Sequence, residues 1–518
     1  MKNIYIYDTT LRDGSQMEGI NFSVNDKIKI TKKLNDFGVD FIEGGWPGSN
    51  PKDEEYFQKI KKLKLQKKIV AFSATHFKNK TPQNDPLLQK VLSVETKYVC
   101  VFGKTWDLHT KKLLKISDKK AFELIFNTIK FLNLKKRKVI FDAEHFFDGF
   151  KFNPKFAINC LKEAEKAGVF NISLCDTNGG MLPSQVSQII NKVKKEIKTP
   201  LGIHAHNDSE TAVANTITAV EGGVSLIQGT FNGIGERTGN ANLGTVIANL
   251  QFKLGIKILP SKKLSQLSQL SNFIIETANL RPQPYQPYVG GNAFAHKGGV
   301  HASAVVKIPQ SYEHINPALV GNFSHITISE LSGKSNIIAV SQRLGVNFFS
   351  NSDDISKILK HVKDLEKEGF YFEAAEASFV LLILHNQKKY QPPFKLLDYL
   401  VVNSKNKTSK ATIILKVGNE VCECVGSGNG PVNALDIAAR RAVIKFFPEI
   451  KNTELIDYKV RIIDSNAATA AKTRVLVESS NNKENWTTVG CSENIIEASW
   501  QALSDSLEYA IWRARKYT

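Results

Sequence analysis

An eight-stranded β/α barrel, then a helical linker region, then a C-terminal α+β domain with an internal pseudo-two-fold repeat is the fold class this 518-residue sequence predicts. Three observations carry that reading. Apolar strand-type runs begin near Ile4, Asp40, Ile69, Tyr98, Val139, Asn171, Leu201 and Leu226, a spacing of roughly 30 residues that suits a βα unit. The segments between them read as amphipathic helices. Residues able to do chemistry follow the first run (Ile4-Tyr5-Ile6-Tyr7) and the seventh (Leu201-Gly202-Ile203), at the strand ends where a barrel keeps its active site. A doubly wound sheet is the competing architecture, but no G-x-G-x-x-G follows the first strand.

The elements follow in order. Ser23 caps a helix, with Asp26 three residues on, Gly38 as its stop, and Val24, Ile28, Thr31 and Leu34 as its expected buried stripe. Another helix runs from Pro183, at a first-turn position, to Ile197. The barrel is expected over 1–260. From 261 to 390, helical stretches (Leu264–Leu280, Ile328–Leu344, Ser352–Glu368) frame a Pro- and Gly-rich passage, Arg281 to Gly299, and read as linking subdomains. Residues 391–518 form a third unit. In it Val425-Gly-Ser-Gly-Asn-Gly-Pro-Val-Asn-Ala434 and Val489-Gly-Cys-Ser-Glu-Asn-Ile-Ile-Glu-Ala498 each lead from two β-type runs into a helix. These glycine-rich turns are not a P-loop, since no Gly-Lys-Ser/Thr follows; they are tight strand-to-helix turns or a small-ligand pocket at helix N-termini.

Composition narrows the function. A hydrophobic fraction of 42% supports a large soluble core, and no run reaches the roughly 18 apolar residues a membrane helix needs. The chain enters a strand almost at once, leaving no room for a signal peptide, so a cytoplasmic location is expected. Six cysteines without C-x-x-C spacing fit a reducing compartment, and Cys422-Glu-Cys424 on one strand face is a weak metal case. The net charge of +19 is spread along solvated helix faces without interleaved aromatics, so nucleic acid is not an expected partner.

The strongest feature pairs Asp8-Thr-Thr-Leu-Arg-Asp-Gly-Ser-Gln16 with His204-Ala-His206-Asn-Asp208. A lone H-x-H is usually two ordinary histidines, and Arg-Asp-Gly is commonly a turn. On a strand, however, residues i and i+2 share a face, so His204 and His206 can reach one point. Asp13 adds a carboxylate and Asn240 a carbonyl, giving a mixed N/O set for Zn, Mn, Mg or Co. Such a site leaves room for a 2-oxo acid, whose keto carbon the metal would polarise. Arg12 would neutralise charge developing on the carbonyl oxygen, Glu144 is a candidate acid/base, and Thr177 can hydrogen-bond the substrate carboxylate. Gln16 completes the expected substrate-binding set.

These motifs, with Gly235-Glu-Arg-Thr-Gly-Asn240 and Phe294-Ala-His-Lys-Gly-Gly-Val-His301, resemble the isopropylmalate, homocitrate and citramalate synthase family across essentially the whole chain. The run Glu43-Gly-Gly-Trp-Pro-Gly-Ser-Asn-Pro-Lys-Asp53 most resembles the citramalate synthase branch. The resemblance implies condensation of acetyl-CoA with pyruvate, then thioester hydrolysis, in isoleucine biosynthesis. It implies Asp13, His204, His206 and Asn240 as metal ligands and Arg12, Glu144 and Thr177 as substrate-site residues. It further implies that His301 and Tyr312 assist enolisation of acetyl-CoA from the neighbouring subunit of a homodimer. The C-terminal part resembles that family's amino-acid-sensing regulatory domain, with isoleucine, or else leucine, as feedback effector. Isopropylmalate synthesis is the alternative within the family. A barrel metallohydrolase is more remote, because no further histidine follows His206 before His296.

Overall fold

A computed structural model describes residues 4–63, 65, 68–327, 334–346, 352–405, 408–463, 471–481 and 484–516. The chain divides into two compact units, Met1–Phe294 with Ile315–Phe323, and Ala295–His314 with Ser324–Thr518. Residues 261–294 thus pack with the N-terminal unit and 324–390 with the C-terminal one.

The first unit is a closed parallel barrel of β1 (Tyr5–Asp8), β2 (Phe41–Gly45), β3 (Ile69–Ala74), β4 (Tyr98–Lys104), β5 (Lys138–Glu144), β6 (Asn171–Asp176), β7 (Leu201–Ala205) and β8 (Leu226–Gly229). It shuts where β1 pairs with β8, Tyr5 opposite Leu226. Both strand faces are covered, as parallel strands require. Tyr7, Phe41, Val70, Phe72, Cys100, Ile140 and Leu226 fill the interior, while Ile6, Ile42, Ile69, Val99, Val139 and their neighbours meet the surrounding helices.

The helix Val24–Phe37 has the expected ends: Ser23 and Asp26 form a reciprocal capping box, and Gly38 closes it at φ 114°. Its buried stripe differs from the expected one. Lys27, Ile30, Thr31, Leu34 and Phe37 face inward, with Val24 and Ile28 at the margin. The reason is Lys27, whose buried ammonium pairs with Asp53 and donates to the Gly44 carbonyl at 3.1 Å. Satisfied in that way, a lysine can occupy a position pattern reading reserves for an apolar residue. The helix from Pro183 ends at Glu196, one residue short of the expected Ile197. The stretch 264–280 resolves into Ser261–Leu264 and Leu267–Thr277, and the helix expected over 328–344 is seen as Lys334–Arg343, residues 328–333 lying outside the described part.

In the second unit β9 (Ala295–His296) pairs with β10 (His325–Ile326). Two three-stranded antiparallel sheets follow: β11 (Lys395–Val402), β12 (Ser409–Val417) and β13 (Glu420–Gly428), then β14 (Glu454–Ile462), β15 (Thr473–Ser480) and β16 (Asn485–Ser492). The expected repeat is therefore three strands and a helix, not two. The unpredicted strands β11 and β14 lie at sheet edges and mix charge with outward apolar residues. They share a pattern, Leu396-Leu-Asp-Tyr399 and Leu455-Ile-Asp-Tyr458, and each shifts register at its aspartate. The glycine-rich turns act in packing. A Cβ on Gly426 would lie 2.3 Å from the Ala434 carbonyl oxygen, and one on Gly490 would lie 2.0 Å from that of Ala498. Each helix, Pro431–Ile444 or Ile495–Lys516, sits against bare strand backbone. Among the described residues no helix is long and apolar enough to cross a membrane.

The helix Glu376–His385 is buried on every side and meets the terminal helix through polar contacts. Ser378 donates to Asp505 at 2.6 Å and accepts from the Val489 amide at 3.0 Å, while Glu508 pairs with His385 at 2.7 Å and accepts from Tyr390 at 2.8 Å. Burial, reinforced by the Glu508 charge, pushes Asp505 up to about 7 against the Ser378 hydrogen bond and His385. With the unfolded value near 3.9, the folded state holds a proton that the unfolded chain has released, so this contribution favours folding at low pH and is lost as pH rises towards 7. Asp505→Asn should therefore melt higher than wild type at pH 8. The gap should shrink as pH falls from 7 to 4, and a gap independent of pH in calorimetric melts would refute it.

Candidate active site

The Asp8–Gln16 segment is built as a rigid turn at the end of β1. Asp8 accepts from the Thr10 amide and hydroxyl at 3.1 and 2.7 Å, Thr9 Oγ1 accepts from the Asp13 amide at 3.2 Å, and Thr10 Oγ1 accepts from the Phe231 amide at 3.0 Å. Thr9 thus braces the turn from within and Thr10 holds it to the segment after β8, and the turn delivers Arg12 and Asp13 inward. From β7, alternation carries His204 and His206 to one point, their Nε2 atoms 3.3 Å apart. Asp13 Oδ2 lies 3.4 Å from His204 Nε2 and 4.0 Å from His206 Nε2. All three side chains are buried, with ligand atoms within 4.8 Å of one another. Asn240 donates to Asp13 Oδ1 at 3.2 Å, and its own Oδ1 is buried without a hydrogen-bond partner. A buried amide oxygen lacking a donor beside a carboxylate and two imidazoles is a donor set a divalent cation fits.

Electrostatics bind these groups together. Arg12 donates through Nε to Glu43 at 2.6 Å and lies 3.1 Å from Asp13 Oδ2, and Tyr7 donates to the other Glu43 oxygen. Burial works to raise the Asp13 carboxyl, but Arg12 and the two histidines outweigh it and hold it well below the usual carboxylate range. Burial, with the His204 charge, pushes His206 down to about 4. His204 moves the other way, because Asp13 more than offsets its burial. Burial also lifts Asp142 to about 6, helped by Glu43 and opposed by His204 and Gln228.

These groups border a cavity of about 200 Å³ at the C-terminal end of the barrel. Arg12, Asp13, Gln16, Glu144, Thr177, His204 and His206 all line it, so the structure brings these seven expected residues together. Glu144 pairs with Lys104. His145 follows in the left-handed region at φ 56° and donates its amide to Thr177 Oγ1 at 2.9 Å. That hydroxyl, occupied as an acceptor, keeps its proton for a ligand. His301 and Tyr312 belong to the second compact unit, where their exposed rings lie 4.3 Å apart.

Residues 3–274 match a family model described as HMGL-like, 288–369 one described as homocitrate synthase post-HMGL domain-like, and 373–511 the LeuA allosteric (dimerisation) domain. The (R)-citramalate synthase of Aquifex aeolicus (strain VF5) is 49% identical, covering 99% of this chain and 98% of its own. That of Geobacter sulfurreducens is 47% identical over 100% and 99%. The chain belongs to the (R)-citramalate synthase family. A 2-isopropylmalate synthase of Methanocaldococcus jannaschii is more distant, at 31% identity over 99% and 96% of the two chains.

Several residues in this member of the citramalate synthase family escaped sequence reasoning. Glu43 and Gln228 sit in strands read as apolar, and a polar residue at the C-terminal end of such a strand was the available signal. Trp46, Phe72 and Phe102 make an aromatic wall, Phe72 stacked on Phe102 and Trp46 edge-on to both, with the Arg12 guanidinium 3.9 Å above the Phe72 ring. Arg237 grips Asp208 with two bonds of 2.8 Å and donates to the Thr177 carbonyl at 2.7 Å, tying three strand-end loops together.

The loop that delivers Asn240 depends on Gly239. It sits at φ 89°, and a Cβ there would lie 1.8 Å from the Gly233 carbonyl oxygen. Gly255 also has positive φ, 65°, but a Cβ there would meet nothing within 4 Å. Gly239→Ala should lower denaturant stability by at least about 2 kcal/mol and Gly255→Ala by only about 1 kcal/mol. Equal midpoints for the two variants would show that the loop relaxes freely.

Proposed function

We propose that this enzyme joins acetyl-CoA to pyruvate and hydrolyses the product thioester, releasing citramalate and CoA, in isoleucine biosynthesis. The observation that carries the reading is the buried Asp13–His204–His206 cluster opening, beside Arg12, onto a cavity of about 200 Å³. Near-full-length identity to named (R)-citramalate synthases supports the same chemistry. Asp13, His204, His206 and Asn240 would hold one divalent ion, Mn, Mg, Co or Zn, which supplies Lewis-acid polarisation of a 2-oxo carbonyl when bound.

The protein's own groups do the rest. Thr177 donates to the substrate carboxylate, and Gln16, 3.5 Å from Arg12 Nη1, adds an amide beside it. Arg12, fixed by Glu43, faces the keto oxygen as it gains charge, and its hold on Glu43 prevents reorganisation during attack. The acetyl methyl loses a proton, its carbon bonds to the keto carbon, and the keto oxygen takes up a proton. Water then cleaves the thioester. We assign enolisation to His301 and Tyr312 of the partner subunit, and proton transfer at the substrate oxygen to Glu144.

A homodimer is also supported by the outer face of the first sheet of the second unit. Leu400, Val402, Val421 and Val425, on the face of the first sheet turned away from its helix, are exposed apolar residues where a monomer would carry polar ones. The functional division keeps catalysis in 1–260, a linker in 261–390 and regulation in 391–518. Isoleucine is the proposed effector and leucine its competitor. Six free thiols support a cytoplasmic setting.

The aromatic wall supports selection against longer acceptors. In a thiol-release assay pyruvate should exceed 2-oxoisovalerate in kcat/KM by about one to two orders of magnitude, a pocket discrimination of roughly 1–3 kcal/mol. Phe102→Ala should shrink that ratio at least about tenfold. Equal specificity constants in the wild type would move the enzyme to isopropylmalate synthesis.

Cross-subunit completion has its own test. Inactive His301→Ala chains mixed with inactive Arg12→Ala chains should regain up to about a quarter of wild-type activity, because random exchange makes half the dimers mixed, each with one whole site. Mixtures proven to exchange by mass spectrometry, yet still inactive, would place the whole site within one subunit.

A further inference from the structure

Gln228 is sealed from solvent and Asp142 is buried at the cavity wall, and together they form a directed hydrogen-bond chain that ends on His204. Gln228 lies directly across the β7–β8 pairing from His204 and is fully buried. Its Nε2 donates to Asp142 Oδ1 at 2.7 Å and to Ser173 Oγ at 2.9 Å, and its Oε1 lies 2.9 Å from His204 Nδ1. We infer that Asp142 and Gln228 are positioning residues that set the tautomer of His204, leaving its Nε2 lone pair to face a divalent cation.

The argument is one of donor and acceptor parity. A carboxylate only accepts, so Asp142 can meet only the NH2 end of the Gln228 amide. Ser173 passes its own proton towards Asn171 Oδ1, 3.4 Å away, and so can accept the second amide hydrogen. With both hydrogens used, the amide oxygen must point at His204 Nδ1, and an oxygen there requires that nitrogen to carry hydrogen. The neutral ring is then protonated at Nδ1 and bare at Nε2, the nitrogen 3.4 Å from Asp13. His206 has no such support, because its Nδ1 is buried without a hydrogen-bond partner. The chain therefore acts on one of the two imidazoles, and metal affinity should be sensitive to it.

The inference rests on the metal reading under Proposed function, and its test separates the two. Mn2+ is titrated calorimetrically into metal-stripped, full-length protein. Gln228→Met keeps the side-chain length but removes the amide, and should weaken Mn2+ binding about 10–100-fold, the usual cost of losing an outer partner of a ligating histidine. Asp142→Ala frees the amide to turn over and should also weaken binding. Asp142→Asn restores an acceptor oxygen and should regain most of the loss, which a purely structural role would not predict. If Gln228→Met fails to fold, the Asp142 pair decides. Folded variants that bind within twofold of wild type, or equal losses in Asp142→Ala and Asp142→Asn, overturn the inference alone. A wild-type protein that takes up no Mn2+, Mg2+, Co2+ or Zn2+ overturns the metal reading and this inference with it.

Discussion

A single buried carboxylate organises the catalytic unit. Asp13 is 3% exposed and stays ionised because Arg12 and two imidazoles crowd it. Arg12 in turn is half-buried against Glu43, which is fully buried and takes a hydrogen bond from Tyr7. Each charge is tolerable only while the next is in place, since an uncompensated buried ion costs about 3–5 kcal/mol. The members come from β1, the loop after it, β2 and β7, so the cluster can form only when the barrel has closed. Closure and site formation are therefore one event. The β1–β8 pairing and the Thr10–Phe231 bond are as much parts of the site as the ligands are.

The C-terminal unit solves a different problem. Three antiparallel strands cannot bury both faces, so each sheet gives one face to a helix, and the first leaves Leu400, Val402, Val421 and Val425 exposed on the other. Gly426 and Gly490 bring the helices in close, and the edge strands carry matched bulges after which Tyr399 and Tyr458 turn inward, to Glu497 and Ser499 of the terminal helix at 2.9 and 2.6 Å. The glycines that could have signalled a ligand turn are thus accounted for by backbone contact. What the first sheet leaves unsatisfied is that outer face, and a second subunit is its natural cover.

The sequence made the barrel legible where physics imposes a period. Eight apolar runs, helices capped as at Ser23 and Gly38, and the i, i+2 pair His204 and His206 each follow from local geometry. Residues defined by depth inside the barrel were not legible. Glu43 and Gln228 come from different strands, and only strand tilt and stagger bring them to the level of the site. The burial of Lys27 is hidden for the same reason, because its partner Asp53 lies on another helix. Strands β11 and β14 escaped because each shifts register at its aspartate, which breaks the alternation that marks a strand.

The pairing inside the cavity also bears on how the reaction is divided. Asp13 is committed to Arg12, Asp142 to Gln228 and Glu144 to Lys104. Carboxylates held this way are good at fixing dipoles and stabilising developing charge, because they need not move. They are poorly suited to take a proton from a thioester methyl, because their charge is already engaged by these partners. An imidazole suits that task, but His204 and His206 are occupied by Asp13 and the proposed ion. The exposed His301, ring against ring with Tyr312 in the other compact unit, is under no such commitment to the cluster. A site that binds and polarises with one set of side chains and removes the proton with another keeps the base away from the buried charges until both substrates are present. That separation is the physical argument behind the proposed assignment of enolisation to His301 and Tyr312 of the partner subunit.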